Sequence, residues 1–108
     1  MSGRLSAIEA RTIEAASMSD EEVSLTLSGG WSVSIYNVAS MTINGSIKAI
    51  SEANLIGETV VSIVLREERL ALVLSNSSEL RVDLRPDAFR GPEAVVVRGP
   101  AGELIVLN

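Results

Sequence analysis

The residues best suited to chemistry lie in one stretch where acids and arginines alternate: Arg81, Asp83, Arg85, Asp87, Arg90 and Glu93. Two carboxyl groups held at a suitable separation can act as general acid and general base, as in glycoside hydrolysis, so Asp83, Asp87 and Glu93 are the candidates for such an enzyme. Each acid has an arginine nearby, which keeps a carboxyl group ionised and a poor proton donor. We therefore expect an ion-pair ladder at the surface and no catalytic residue.

A second polar set consists of hydroxyl groups at alternate positions of two adjacent segments: Ser24, Thr26, Ser32, Ser34 and Tyr36. A serine nucleophile needs a base and an oxyanion hole, but the sequence contains no histidine and no Gly-x-Ser-x-Gly motif. The pattern predicts a solvated sheet face. The functional alternative is a flat, hydroxyl-rich surface for a protein partner.

The composition argues against several kinds of site. Without cysteine or histidine, the chain offers no thiolate nucleophile, no histidine base and none of the usual zinc or haem ligands, so we expect no metal and no cofactor. The net charge is −5, and the basic residues are interleaved with acids, which argues against nucleic acid as a partner. Because no apolar run approaches about 20 residues and the start does not resemble a secretory signal, we expect a cytoplasmic protein without membrane contact.

The chain has the size and composition of a single domain, residues 1–108, with an aliphatic core. Hydrophobic residues make up 46% of it, yet Trp31, Tyr36 and Phe89 are the only aromatic residues. We expect Trp31 to fill space in the core, with a ligand platform as the alternative.

An internal repeat at an offset of 47 positions aligns Ile8 with Leu55, Thr12 with Thr59 and Leu25 with Leu72. Repeat one runs from about residue 8 to 35 and repeat two from about residue 55 to 84. After a two-residue insertion in the second copy, Trp31 aligns with Leu80. Apolar and polar residues alternate within each copy, which predicts two β-meanders.

Strand faces constrain the turns, because side chains directly opposite each other share a face. Leu27 opposite Trp31 leaves a three-residue loop, and Leu74 opposite Leu80 leaves a five-residue loop. Residues 5–18 have helical propensity, but the repeat places a strand from about residue 12, so we expect a short helix or loop only up to about Ala10.

The remaining segments complete the predicted fold. The linker at residues 36–54 is predicted to contain a short helix over residues 46–54, with Ser46 as its N-cap. Residues 94–107 are predicted to form a C-terminal hairpin around a turn at residues 98–102. The sequence thus predicts a mainly β protein, a small barrel or sandwich of seven to eight short antiparallel strands with one or two short helices.

Several strands of the second copy are apolar on both sides, and such strands need a second cover. We name four candidate interface residues: Val61, Ala71, Val73 and Val95. Either the short helices would cover them, or a second copy of the chain or a partner protein would do so.

Short motifs in residues 55–108 suggest a family. Leu55-x-Gly57-x-x-Val60, the hairpin with alternating leucines, Gly91-Pro92-Glu93-Ala94 and a short aliphatic C-terminal strand resemble a group of small bacterial β-domains of unknown function. Some members of that group are suspected immunity proteins of polymorphic toxin systems. The first copy departs from the pattern, since Ala10 stands where the glycine falls. The resemblance implies a bacterial, cytosolic, non-enzymatic protein and assigns no catalytic or ligand-binding residue.

Together these observations predict a non-catalytic protein-interaction module. It would act as a homodimer or as an acidic, immunity-like binder of a basic partner protein. The alternative is a carrier of a small apolar ligand, with its site inside the barrel or near Trp31 and Tyr36. A carrier requires an open cavity lined by Leu25, Val33 and Leu72.

Overall fold

Short antiparallel strands dominate residues 5–108, the part of the chain that the computed structural model describes. The ten strands are β1 (Ile13–Met18), β2 (Val23–Leu27), β3 (Trp31–Ile35), β4 (Ala39–Ile43), β5 (Ser46–Lys48), β6 (Val60–Leu65), β7 (Arg69–Leu74), β8 (Glu79–Asp83), β9 (Val95–Arg98) and β10 (Leu104–Leu107). Single turns of 3-10 helix occur at Ser6–Ile8, Glu52–Asn54 and Pro86–Ala88. The mainly β fold is confirmed, with more strands than the seven or eight predicted.

The strands form two five-stranded sheets. The first has the order β1-β2-β3-β9-β10, and the second, taken from the corresponding edge, has the order β6-β7-β8-β4-β5. Each sheet therefore consists of a three-stranded meander from one half of the chain and a hairpin from the other half. The two sheets do not close into a barrel.

The contacts of the first meander recur in the second at an offset of 47 residues. Both first strands contain six residues and carry a β-bulge, between Ile13 and Ala15 in β1 and between Val60 and Ser62 in β6. Leu25 pairs with Val33 in the first meander, and Leu72 pairs with Leu80 in the second. The two meanders thus share bulge position and register.

The two meanders meet where these equivalent segments lie side by side. Thr12 and Thr59 form an antiparallel bridge, and their hydroxyl oxygens are 3.2 Å apart. The flanking hydrogen bonds are reciprocal: Ala10 N–H donates to the Val60 carbonyl at 2.7 Å, and Gly57 N–H donates to the Ile13 carbonyl at 2.8 Å. An approximate two-fold axis therefore passes between the two threonines.

One aliphatic core lies between the sheets. Alternate residues of the meanders point into it, among them Leu25, Val33, Leu72 and Leu80, each at most 2% exposed. Because each side chain on a strand faces opposite to its neighbours, the intervening residues form the two outer faces. Apolar alternation in the sequence thus fixes both the core and the outer surfaces.

The predicted two-residue insertion in the second copy is wrong. The Leu74 N–H donates to the Ser78 carbonyl, so the loop of the second meander contains three residues, as in the first meander. Asn76 closes the tight loop by accepting a hydrogen bond from the Ser78 N–H, and Ser77 adopts φ +69°. The offset of 47 therefore continues through β8, where Ser78 is equivalent to Trp31 and Leu80 to Val33.

The predicted helix over residues 46–54 is also wrong for most of its length. Asn44 and Gly45 have φ values of +52° and +80°, which form the tight two-residue turn of a hairpin. Ser46 pairs with Ile43 across this turn and begins β5, so it is no N-cap. Only Glu52–Asn54 forms a helical turn. Near the start of the chain, the short helix or loop predicted up to about Ala10 agrees with the single 3-10 turn, Ser6–Ile8, that precedes β1.

Ala10 and Gly57 occupy equivalent positions of the two meanders, and both have a left-handed backbone conformation. Ala10 has φ +69°, and its equivalent Gly57 has φ +91°. A side chain is strained in this left-handed region, whereas glycine is not. We expect Gly57→Ala to lower the free energy of unfolding by about 1 kcal/mol and Ala10→Gly to raise it by about 0.5 kcal/mol.

Urea denaturation measures both effects. A Cβ at position 57 would meet no atom within 4 Å, so a steric clash cannot account for the loss. Equal stability of both variants and the parent would contradict the proposed backbone strain.

Candidate functional site

Two surface grooves lie at equivalent ends of the two meanders. The first is beside the turn between β1 and β2, and the second is beside the turn between β6 and β7. Both turns close in the same way: the Ser19 N–H donates to the Glu22 carbonyl at 2.9 Å, and the Arg66 N–H donates to the Arg69 carbonyl at 2.8 Å. The backbone is thus repeated, but the side chains differ in charge.

The first groove, here called the acidic cleft, has a volume of about 700 Å³. It is lined by residues 19–22, by Tyr36 and by residues 90–93, which lead into β9. This lining carries four carboxylates, from Asp20, Glu21, Glu22 and Glu93, against the one guanidinium of Arg90. The acidic cleft therefore has a negative potential that favours a cationic ligand.

The carboxylates of the acidic cleft are not neutralised by ion pairs within residues 5–108. The two ion pairs found there join Arg81 to Glu79 and Arg85 to Asp83, both outside the cleft. Glu22 accepts a hydrogen bond from the Ser24 hydroxyl at 2.6 Å, which orients that carboxylate without removing its charge.

A smaller cavity of about 270 Å³, here called the inner pocket, adjoins the acidic cleft and shares part of its lining. The shared residues are Ser19, Asp20, Glu22 and Arg90. Its other walls are mostly aliphatic and come from both sheets and from the segment after β5: Met18, Val23, Ile35, Ala39, Ala49 and Ile50. The pocket is thus apolar along its sides, and at its entrance from the acidic cleft it has two carboxylates and one guanidinium.

Asn37, in the wall of the inner pocket, is a buried polar residue with one unpaired side-chain atom. It is 2% exposed, and its Nδ2 donates to the Asp83 carbonyl at 2.8 Å. Its Oδ1 is buried and has no hydrogen-bond partner. Among the side chains of residues 5–108, Thr42 Oγ1 is the one other buried polar atom without a partner. An unpaired buried acceptor costs about 1–3 kcal/mol, so a ligand that donates a hydrogen bond there would remove a penalty.

The second groove, here called the arginine groove, has a volume of about 630 Å³ and the opposite character. Four arginines line it: Arg66, Arg69, Arg81 and Arg85. They outnumber its three acids, Glu67, Glu68 and Asp83. The same backbone thus supports an acidic site in one half and a mixed, mildly basic site in the other.

The predicted acid–base candidates do not come together. Asp83 lines the arginine groove, Glu93 lines the acidic cleft, and Asp87 is exposed in the 3-10 turn between them in sequence. Short ion pairs involve part of the predicted ladder: Arg81 Nε is 2.9 Å from Glu79 Oε1, and Arg85 Nη2 is 2.6 Å from Asp83 Oδ2.

The hydroxyl row lies on the outer face of the first sheet. Ser24 pairs with Ser34 and Thr26 with Ser32, so these side chains share one face. Trp31 lies in the core at 7% exposure, with the Arg11 Cζ atom 5.2 Å from its ring centroid. Tyr36, the last member of the row, lines the acidic cleft.

The four predicted interface residues lie in different settings. Val61 is the extra residue of the β6 bulge and is 56% exposed, and Val73 is half-buried on β7. Ala71 is only 4% exposed. Val95 is 1% exposed and belongs to β9 of the other sheet, where it packs into the core. The structure thus places Val61, Ala71 and Val73 on one sheet and separates Val95 from them.

The residues proposed to line a carrier's cavity are packed. Leu25, Val33 and Leu72 are each at most 2% exposed and belong to the core, and none of them lines the acidic cleft, the inner pocket or the arginine groove.

Comparisons with protein-family models, with curated proteins and with solved structures find no match for this chain. Across residues 5–108, no helix has the length and apolar character needed to cross a bilayer. Within the same residues, no three acidic side chains are grouped in a way that could hold a metal ion.

Neither the acidic residues 20–22 nor Asn37 were among the site residues predicted from the sequence. With a continuous offset of 47, Asn37 is equivalent to Leu84. The first copy thus has a polar residue where the second has an apolar residue that packs against the core. That contrast is visible in the sequence once the register has no insertion.

The Asp83–Arg85 pair predicts a titration. The Arg85 side chain, and then its backbone N–H, donate to the Asp83 carboxylate and lower its pKa below the ordinary 3.8. The pair's contribution to stability is therefore present above the ordinary pKa and is lost as the pH falls through the lowered value. We expect Arg85→Gln to raise the pKa of Asp83, as measured from its carboxyl carbon by NMR.

Arg81→Gln is the matched control, because Arg81 bonds to Glu79 and not to Asp83. An unchanged Asp83 pKa in Arg85→Gln, or an equal shift in the control, would contradict this assignment.

Proposed function

We propose that this protein is a non-catalytic interaction module that binds a basic partner protein through the acidic cleft. The observation that supports this most directly is the concentration of four carboxylates against one guanidinium around a concave surface. Concave, charged surfaces focus the field and favour ligands of opposite sign. The net charge of −5 acts in the same direction by accelerating the encounter with a basic partner.

The chemistry of the cleft supports a side chain with a positive head and an apolar stem. Tyr36 in the outer lining offers an aromatic ring, on which a cation can pack. The aliphatic walls of the inner pocket suit methylene groups, and the carboxylates at its entrance suit the charge. Lysine and arginine side chains have this construction.

The homodimer through the second sheet has weaker support. Of the residues predicted for it, only Val61 is well exposed, and the same outer face carries the ion pair of Arg81 and Glu79. Dimer interfaces are typically depleted of charge at their centre. The geometry therefore favours a basic partner at the acidic cleft over self-association on this face.

The proposal predicts where charge matters. We expect Asp20→Asn/Glu21→Gln to weaken binding of a peptide of alternating lysine and glycine residues by about threefold to tenfold, because each exposed charge pair contributes about 0.2–1 kcal/mol. Isothermal titration calorimetry at low ionic strength measures the affinity, and added salt should weaken it further.

The equivalent turn supplies the control. Glu67→Gln/Glu68→Gln removes the same two charges at the positions that correspond to Asp20 and Glu21, so the net charge of the two variants is identical. The control is expected to bind like the parent protein. If both variants lose affinity equally, net charge alone attracts the peptide, and the acidic cleft is not the binding site.

A further inference from the structure

We infer that the inner pocket accepts the primary ammonium group of a single lysine side chain from the partner, with Asn37 Oδ1 as its hydrogen-bond acceptor. This inference rests on the proposed function and specifies its ligand. It starts from Asn37, which is 2% exposed, lines the inner pocket and leaves Oδ1 unpaired. Because Nδ2 is held by the Asp83 carbonyl at 2.8 Å, the amide orientation is fixed and the oxygen stays the free acceptor.

The equivalent position of the second meander carries no amide. Ile35 pairs with Val23 in the first meander, and Val82 pairs with Leu70 in the same way in the second, so Ile35 and Val82 are equivalent. Asn37 and Leu84 follow two positions later and are therefore equivalent as well. Leu84 packs against the hydrophobic core. The second meander therefore uses leucine where the first uses an under-satisfied asparagine. A buried acceptor left unpaired, where the equivalent residue is apolar, is a marker of a binding role.

The surroundings of Asn37 select the shape of the ligand. Met18, Val23 and Ile50 form apolar walls, which match a flexible alkyl stem, while the two carboxylates of Asp20 and Glu22 outnumber the one guanidinium of Arg90 and supply net negative charge. The ammonium group is compact and has three donors, so a single amide oxygen can serve it inside the pocket while the nearby carboxylates supply charge. The guanidinium group is planar and pairs best with the two oxygens of one carboxylate, which Asp20 and Glu22 offer but the single Oδ1 does not. The inner pocket therefore favours lysine over arginine.

The experiment compares two peptides on two proteins. The probes are the lysine–glycine peptide and its arginine–glycine counterpart, titrated into the parent protein and into Asn37→Leu. We expect the parent to bind the lysine peptide more tightly than the arginine peptide. Asn37→Leu should weaken the lysine peptide by about tenfold, the effect of one hydrogen bond to a charged group, and remove the preference.

Thr42→Val is the matched control, since Thr42 Oγ1 is also buried without a partner but lies outside the inner pocket. It is expected to leave both affinities unchanged. A measurement on the parent protein keeps the test valid if Asn37→Leu folds poorly: the side-chain amide resonances of Asn37 should shift during titration with the lysine peptide.

The outcomes separate the two proposals. If neither peptide binds the parent protein, the proposed function fails and the lysine site fails with it. If the lysine peptide binds and Asp20→Asn/Glu21→Gln weakens it, while Asn37→Leu does not and the Asn37 amide stays unshifted, only the lysine site is overturned. Equal binding of the lysine and arginine peptides by the parent would likewise overturn the selectivity.

Discussion

The reciprocal backbone hydrogen bonds around Thr12 and Thr59 determine much of the rest of the structure. They join equivalent segments of the two meanders head to head, so the two sheets share one approximate axis and one aliphatic core. Once that junction is formed, the turns after β1 and β6 lie at equivalent ends of the molecule. The acidic cleft and the arginine groove follow as two versions of one backbone site.

Charge distinguishes the two versions. The acidic turn has Ser19 and Glu22 where the other turn has Arg66 and Arg69, so these two differences replace a turn with a net negative charge by one in which acids and arginines balance. The backbone hydrogen bond that closes each turn is the same. A fold with internal two-fold symmetry can therefore carry different charges on equivalent turns of one backbone, because surface charges at a turn contribute little to stability.

Much of the architecture could be predicted from alternation and offset, because the period of two and the shared hydrophobic pattern follow from core burial. The errors lie where local turn chemistry decides. Asn44-Gly45 is a strong hairpin signal, yet helical spacing around Ile47 and Ile50 concealed it. The Asn76 side chain allows a three-residue loop that residue counting does not reveal. The acidic residues of the site were visible, but their convergence with Asn37 depends on how the connection between β3 and β4 crosses between the sheets.

The exchange of hairpins between the halves also bears on how the molecule opens. Sheet one requires β9 and β10 from the second half, and sheet two requires β4 and β5 from the first. Native-state hydrogen exchange should accordingly show the slowest amides of β3 and β8 opening together as one cooperative unit, without a half-folded intermediate.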